Sequence, residues 1–323
     1  MSNTNTVTTK HLPRPLEELD LMDDFLFQEL LSQEGDGEEF CRILLSTILE
    51  KNIRKVSIIP QKNILGIDTN RHGIRMDAYI EDISDIDSMP GVDTIDAQVT
   101  PDIYDIEPNK RYEKQTLPKR MRYYHGLIDT QLLATNVTYD NLPNVAIIVI
   151  LPYDPFGKNR MVYTIKNQCE EDTSIPYDDG ARKIFLYTKG EEGNPSQKLK
   201  DMLRYIEKTT DENVTNQDID TIHHFVKRVK RRKEVGINYM KSWELERIYR
   251  EEGRQEGREE GRQEGRQEGR EECLDQGAKA LIITCQDFHL SRADTLSKVM
   301  QNFQLEQHAA EVYMQKYWQE DSN

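Results

Sequence analysis

Two acidic side chains, Asp77 and Glu107, could together hold a divalent metal ion. Each lies on a segment where apolar and polar residues alternate, Gly73–Ile80 and Asp102–Glu107, which predicts β-strands. In the second segment, Asp105 and Glu107 fall on the same face. Carboxylates held together by a sheet repel each other unless a cation lies between them. Oxygen ligands favour Mg²⁺, or Mn²⁺, over zinc, and such an ion can activate water and neutralise a phosphodiester.

The alternative is that both carboxylates are ordinary surface acids. The chain of 323 residues has 58 acidic side chains, so acidic residues at these positions are not unusual. Spacing alone does not separate the two interpretations.

The elements that would position these residues follow from hydrophobic periodicity. Residues 15–50 have helical spacing with a break at Gly35–Gly37, which predicts two helices or one interrupted helix. The run Val145–Leu151 is apolar throughout, as in strands covered on both faces. The other predicted elements are a strand at Val56–Ile59, an acidic irregular stretch at Glu81–Thr100, a helix at Leu117–Leu133, strands at Arg160–Ile165 and Lys183–Tyr187, and mostly helix over Gln197–Tyr249.

The composition changes abruptly at Gly253, where a glycine begins to recur every fourth residue up to Gly269. We therefore divide the chain into a compact body (1–200), a basic helical segment (201–250), the Gly-Arg-Glu repeat as a helix or linker (251–277) and C-terminal amphipathic helices (278–323). Each glycine costs a helix about 1 kcal/mol relative to alanine, so an isolated helix here is marginal. Packing of the glycine stripe against a second copy would compensate, which predicts a homodimer through this tail. A flexible charged spacer is the alternative.

Basic residues follow Glu107 directly and could contact DNA. Lys110, Arg111, Lys119 and Arg120 lie in this stretch, and Tyr124 is one helical turn after Arg120. Arg120 and Tyr124 are candidates for phosphate contacts, which fix register without reading sequence. The alternative is a solvated helix face with tyrosines at the edge of the core.

A second basic cluster predicts either a polyanion or an acidic partner, which includes the protein's own acidic surface. Its proposed DNA-binding residues are Lys227, Arg228, Lys230, Arg231 and Arg232.

Charge and composition set further limits. The formal net charge of −15 opposes DNA binding at long range, so the distribution of the basic residues matters more than their sum. No apolar stretch is long enough to span a membrane, and the N-terminus lacks the apolar core of a signal peptide. The four cysteines form no CxxC pair. We expect a cytoplasmic protein with reduced thiols and no membrane partner.

Five ordered blocks resemble the Rpn-type recombination-promoting nuclease and transposase family, a branch of the PD-(D/E)XK nuclease superfamily. They are LMDDFLF (21–27), HGIRMDAYIED (72–82), YDIEPNKR (104–111), LPKRMRYYHGLID (117–129) and LPNVAIIVILPYDPFG (142–157). The resemblance implies an α/β restriction-endonuclease-like core, with a helix, a three-strand meander, a helix and a strand, followed here by a helical C-terminal extension.

The resemblance also implies roles for individual residues. Asp77 matches the family's metal-binding Asp, and Glu107 matches the Glu of its E-x-K element. Asp24 matches an early acidic position and would hold a metal-bound water, although an acid at a helix N-terminus is also favoured by the helix dipole. Asn109 stands where the motif has Lys. An amide can position water but supplies no charge.

The sequence therefore predicts a Mg²⁺-dependent DNA endonuclease that promotes recombination or mobile-element movement. Asp77 and Glu107 would hold the ion, Asn109 would position the nucleophile, and Arg120 would contact the phosphate. One alternative is a DNA-binding protein whose catalytic site has decayed at Asn109. The other is an oligomerising scaffold whose basic run binds acidic protein.

Overall fold

A computed structural model describes residues 13–65, 72–84, 101–133 and 138–319. The chain divides into two compact units, Met1–Lys241 and Ser242–Asn323. Within the described residues the strands are β1 Val56–Ile64, β2 Ile74–Asp82, β3 Asp102–Pro108, β4 Val145–Leu151, β5 Val162–Ile165 and β6 Ala181–Tyr187. The helices are α1 Asp24–Leu31, α2 Asp36–Leu49, α3 Leu117–Leu132, α4 Gln197–Glu207, α5 Gln217–Arg231, α6 Lys233–Asp287, α7 Arg292–Phe303 and α8 Gln307–Tyr317.

The first unit is built on a six-stranded mixed sheet with the order β1-β2-β3-β4-β6-β5. Strands β1, β2 and β3 form an antiparallel meander. Helix α3 then leads into β4, which lies parallel to β3, and β6 lies parallel to β4. This confirms the mixed α/β class and the predicted order of helix, meander, helix and strand.

Helices cover both faces of the sheet. Helices α1, α2, α4 and α5 contribute to one apolar cluster with residues such as Ile80, Ile106 and Ile148. Helix α3 contributes Leu117 and Met121 to a second cluster on the opposite face. Every residue of β4 is buried, as its uninterrupted apolar sequence predicts. Helices α4 and α5 thus belong to the first unit, although the sequence placed them in a segment apart from residues 1–200.

The break between α1 and α2 depends on two glycines. Gly35 has a φ of +77°, which disfavours other residues, and its N–H donates to the Glu38 carboxylate at 2.7 Å. Gly37 lies so close to α1 that a Cβ atom would be 2.5 Å from the Leu31 carbonyl oxygen. The sequence thus forms two helices, and their close approach requires glycine.

The second unit contains most of α6 together with α7 and α8. Its apolar cluster joins Ile282, Val299, Ala310 and Met314. The Gly-Arg-Glu repeat is continuous helix, and its side chains between 251 and 272 are exposed. No helix in the described parts of the chain combines the length and apolar character that crossing a membrane requires.

Candidate active site

The predicted metal ligands lie side by side on neighbouring strands. Ala78 with Ile106 is the last pair of the β2–β3 register, and Asp77 and Glu107 are the next residues of the two strands beyond that pair. The Asp77 charge raises the pKa of Glu107, so the two carboxyl groups lie within electrostatic reach of each other. The structure thus brings together the two acids that the sequence singled out.

Pro108 explains why the sheet opens at this point. The N–H groups of Ile103 and Asn109 donate to carbonyls that flank β4, so alternate residues of β3 direct their N–H groups toward β4. By this alternation, the donor that Pro108 lacks would face β2. Pro108 therefore ends the pairing with β2 while β3 continues beside β4 as far as Asn109. Strand β3 itself ends at Pro108, as expected of a residue that lacks a backbone N–H donor.

A third acid, Asp105, is the most buried member of the group. Its side chain has no exposed surface, and neither carboxylate oxygen has a hydrogen-bond partner in the described residues. Burial raises its pKa well above the usual range, and the Glu107 and Asp77 charges raise it further. The alternation of β3 predicted Asp105 on the same face as Glu107, but no pattern in the sequence assigned Asp105 a role.

Burial also raises the pKa values of the two predicted ligands. The pKa of Asp77 rises to about 7 through burial and the nearby Asp24 charge. Burial, followed by the Asp77 charge, raises the pKa of Glu107. Three acids that repel one another when they are ionised therefore lie close together. Such clusters are common at sites that bind a cation or transfer a proton.

Arg120 supplies the nearest positive charge. Its Nη2 atom is 3.3 Å from Glu107 Oε2, and its Nη1 atom is 2.5 Å from Glu113 Oε2. Its guanidinium carbon also lies 5.7 Å from the centroid of the Tyr124 ring. Arg120 and Tyr124 thus share one face beside the acids, as predicted. The contact between Arg120 and Glu113 was not predicted.

Asn109 stands at the predicted motif position with an unsatisfied amide. Its Oδ1 atom accepts a hydrogen bond from the Arg111 N–H at 3.0 Å. Its Nδ2 atom is buried and has no partner in the described residues. Lys110, just beyond the end of β3, forms an ion pair with Asp23, which precedes α1.

Helix α1 contributes Asp24, which the sequence predicted as a site residue, and Gln28, which it did not. Asp24 is near enough to raise the pKa of Asp77, but its side chain is 64% exposed and lies 4.0 Å from Arg75. Gln28 is buried, and its Nε2 atom donates to the Asp77 carbonyl at 3.3 Å. The sequence does not reveal Gln28, because it occupies one polar position within an apolar helix.

Unsatisfied polar atoms are concentrated around these acids. In the described ranges, eight buried side-chain nitrogen or oxygen atoms lack a partner. Five of the eight belong to Gln28, Asp105, Asn109 and Arg120. Buried polar atoms are normally paired, so such a concentration is typical of a place that receives a ligand, an ion or ordered water.

The residues fit a hydrated Mg²⁺ ion better than a fully caged one. No group of three or more His, Cys, Asp or Glu residues is arranged to hold a metal in the described parts of the chain. Mg²⁺ keeps several waters and is commonly bound through one or two carboxylates. Asp77 and Glu107 satisfy this smaller requirement.

The remaining predicted DNA-binding residues divide into two groups. Arg111 and Lys119, which follow Glu107 in sequence, are exposed. In the second basic cluster, Lys227 pairs with Asp211 at 2.5 Å and Arg228 pairs with Asp36 at 2.6 Å.

Two further members of that cluster also have partners within the chain. Lys230 donates to the carbonyls of Glu17 and Leu19, at 2.8 Å and 2.6 Å. Arg232 bonds Gln33, and Arg231 is exposed. Most of the cluster therefore contacts the protein's own surface, which was the stated alternative to DNA.

Comparisons with family models, with curated proteins and with solved structures find no match to this chain.

Proposed function

We propose that the protein is a metal-dependent DNA endonuclease with a restriction-endonuclease-like core of the Rpn type. The proposal rests on one observation, the proximity of the Asp77 and Glu107 carboxyl groups just beyond the last β2–β3 pair, where Pro108 ends the pairing. Promotion of recombination or mobile-element movement follows from the family resemblance and belongs to the same proposal.

In this proposal Asp77 and Glu107 hold Mg²⁺, or Mn²⁺, which supplies water activation and charge neutralisation when bound. Asp24, at the rim, orients a water by accepting a hydrogen bond. The unpaired Nδ2 atom of Asn109 donates to the attacking water or to a phosphate oxygen. Fixed donors of this kind favour the developing charge because they need no reorganisation.

Arg120 takes the electrostatic role that Lys has in the family motif. Its guanidinium lies within 3.3 Å of Glu107 and is partly exposed, so it can hold that carboxylate and also face a phosphate. Lys110 is paired with Asp23 and does not supply this charge. The missing motif charge at Asn109 is thus replaced from α3.

The test is nicking of supercoiled plasmid in Mg²⁺ or Mn²⁺ by the full chain. Asp77→Asn and Glu107→Gln keep the size of the side chains and remove their charge, so each should lower the nicking rate about a hundredfold or more. Asp102→Asn, at the opposite end of β3, is the matched control and should cut at the native rate. Equal cutting by the native chain and Asp77→Asn would refute the assignment.

A second candidate is a DNA-binding or scaffold protein with a decayed site. Asn109 and the lack of a three-ligand metal group among the described residues favour it. It predicts no cleavage in either metal. DNA binding that survives Asp77→Asn would identify a binding protein, and no binding at all would identify a scaffold.

We also propose a homodimer through α6. The glycines Gly253, Gly257, Gly261, Gly265 and Gly269 have no heavy atom of another element near them, so a second backbone can approach this stripe closely. Two joined catalytic units would suit cutting of both DNA strands.

A further inference from the structure

An aromatic pair, with Tyr112 exposed and Tyr153 partly buried, is linked by contacts to the candidate active site. Tyr112 is 72% exposed, and its ring centroid is 4.9 Å from that of Tyr153 with an angle of 53° between the planes. We call these two residues the Tyr112 platform. One side of the Tyr112 ring contacts Tyr153, so its orientation is constrained although most of its surface is open.

Tyr153 is itself held in place. Its hydroxyl oxygen accepts a hydrogen bond from the Glu113 N–H at 3.2 Å. It begins a loop in which the Asp154 carboxylate accepts from the N–H groups of Phe156 and Asn159, at 3.0 Å and 2.6 Å. The platform therefore stands on an ordered loop, which lowers the entropy cost of stacking on it.

A continuous chain of contacts joins the platform to the acids. Glu107 contacts Arg120, and Arg120 contacts the Glu113 carboxylate. The Glu113 backbone contacts Tyr153, whose ring contacts Tyr112. The platform is therefore linked to the acids through Arg120, Glu113 and Tyr153.

The charges around Tyr112 complement a phosphate backbone. Arg111 and Lys114 flank it in sequence. Arg111 is exposed and Lys114 is half-buried, and neither has an ion pair within the described residues. The acid between them, Glu113, is engaged by Arg120. An exposed aromatic ring between two available cations is the arrangement that single-strand binding proteins use.

Resting on the proposed nuclease function, we propose that the Tyr112 platform stacks an unpaired base of single-stranded DNA, with its phosphates against Arg111 and Lys114. In a duplex, each base face is covered by the next base pair, so the ring would find no partner except at an end. The substrate class is therefore DNA with an unpaired segment near the cut.

The test is fluorescence anisotropy with a labelled single-stranded oligothymidine and a duplex of equal length. The full chain is used in EDTA, which prevents cutting. Tyr112→Ala should weaken single-strand binding about tenfold and leave duplex binding unchanged within about twofold. Tyr112→Trp should restore single-strand binding, because an indole stacks as well.

The matched control is Tyr177→Ala, which removes another exposed tyrosine, 55% exposed, from the loop between β5 and β6. It should bind both DNAs as the native chain does. Equal weakening for both DNAs, or no weakening in Tyr112→Ala, would overturn the platform proposal while leaving plasmid nicking as separate support for the nuclease. No single-strand binding by the native chain would overturn the platform proposal, and plasmid nicking in Mg²⁺ or Mn²⁺ would still test the nuclease separately.

Discussion

At the level of single residues, the buried Asp105 carboxyl lowers the stability of the folded protein when it is ionised. A buried carboxyl without a hydrogen-bond partner is unfavourable when it is ionised, and it can avoid this cost only by holding a proton. Because folding raises its pKa, the unfolded chain loses the proton at lower pH than the folded chain does. The contribution of Asp105 to the free energy of unfolding therefore decreases as pH rises above about 4.

The substitution Asp105→Asn removes the part of the pH dependence of unfolding that Asp105 contributes. We expect the variant to be more stable than the native chain by about 1–3 kcal/mol at pH 8 and nearly equal to it at pH 4. Urea unfolding at the two pH values measures the difference. Asp102→Asn is the control, since Asp102 accepts a hydrogen bond from Asn144 at 2.9 Å and gains nothing from losing its charge. A variant less stable than the native chain at pH 8 would show that Asp105 is a favourable ionised group.

Cation binding should relieve the same repulsion. We expect Mg²⁺ near saturation to raise the melting temperature of the native chain by about 3 °C or more, and Asp77→Asn to lose most of this shift. The pKa of Asp77 is about 7, so protonation below that value competes with the metal. The shift should therefore be larger at pH 8 than at pH 6. Sodium at equal ionic strength controls for screening, and an equal Mg²⁺ effect on Asp77→Asn would argue against a site there.

At the scale of elements, Pro108 makes an opening in an otherwise regular sheet. Pro108→Val restores the N–H group directed at β2, so pairing can continue through Asp77 and Glu107. We expect the variant to keep or gain stability and to lose nicking activity about tenfold or more, because the carboxylates become fixed in a closed ladder. Pro101→Val, just before the same strand, should change neither property. Native activity in Pro108→Val would show that the opening is not required.

Local patterns predicted the elements well, and tertiary contacts explain what they missed. The sequence predicted β4 with its observed bounds, because an uninterrupted apolar run is typical of a strand that is covered on both faces of a sheet. It placed Asp77 and Glu107 on adjacent strands, because a meander puts neighbours in sequence next to each other. Gln28 could not be predicted, since its partner Asp77 lies 49 residues away. Strand β1 extends beyond its predicted end at Ile59 to Ile64, because β2 is long enough to pair with it that far.

At the scale of the whole molecule, the two basic regions should differ in what they do. Lys230 is partly buried and holds two carbonyls, so Lys230→Ala should lower the free energy of unfolding by about 1 kcal/mol without changing DNA affinity. Lys119 is exposed on α3, and Lys119→Ala should leave stability unchanged and reduce the slope of log affinity against log salt by about 1. Urea unfolding and salt titration of DNA binding measure both. A reduced salt slope in Lys230→Ala, together with reduced stability in Lys119→Ala, would instead assign DNA binding to the second basic cluster.

The long helix α6 gives the last prediction. Its repeat is exposed helix despite five glycines that together cost about 5 kcal/mol, so a compensating partner is expected. Cys273 continues the four-residue spacing after Gly269 and is an exposed free thiol. If two parallel helices meet along this stripe, the two Cys273 residues lie close together and mild oxidation should crosslink the chains.

Crosslinking should disappear in Cys273→Ser and persist in Cys169→Ser, which removes another accessible thiol. Gly261→Leu adds a strong helix former but blocks close approach, so sedimentation should show a monomer with equal or greater helicity. Measuring both helicity and sedimentation separates packing between two α6 helices from intrinsic helix propensity. If α6 is only a charged spacer, Gly261→Leu should increase helicity without changing the sedimentation of the chain. A native chain that sediments as a monomer at micromolar concentration would refute the dimer and leave α6 as a solvated spacer.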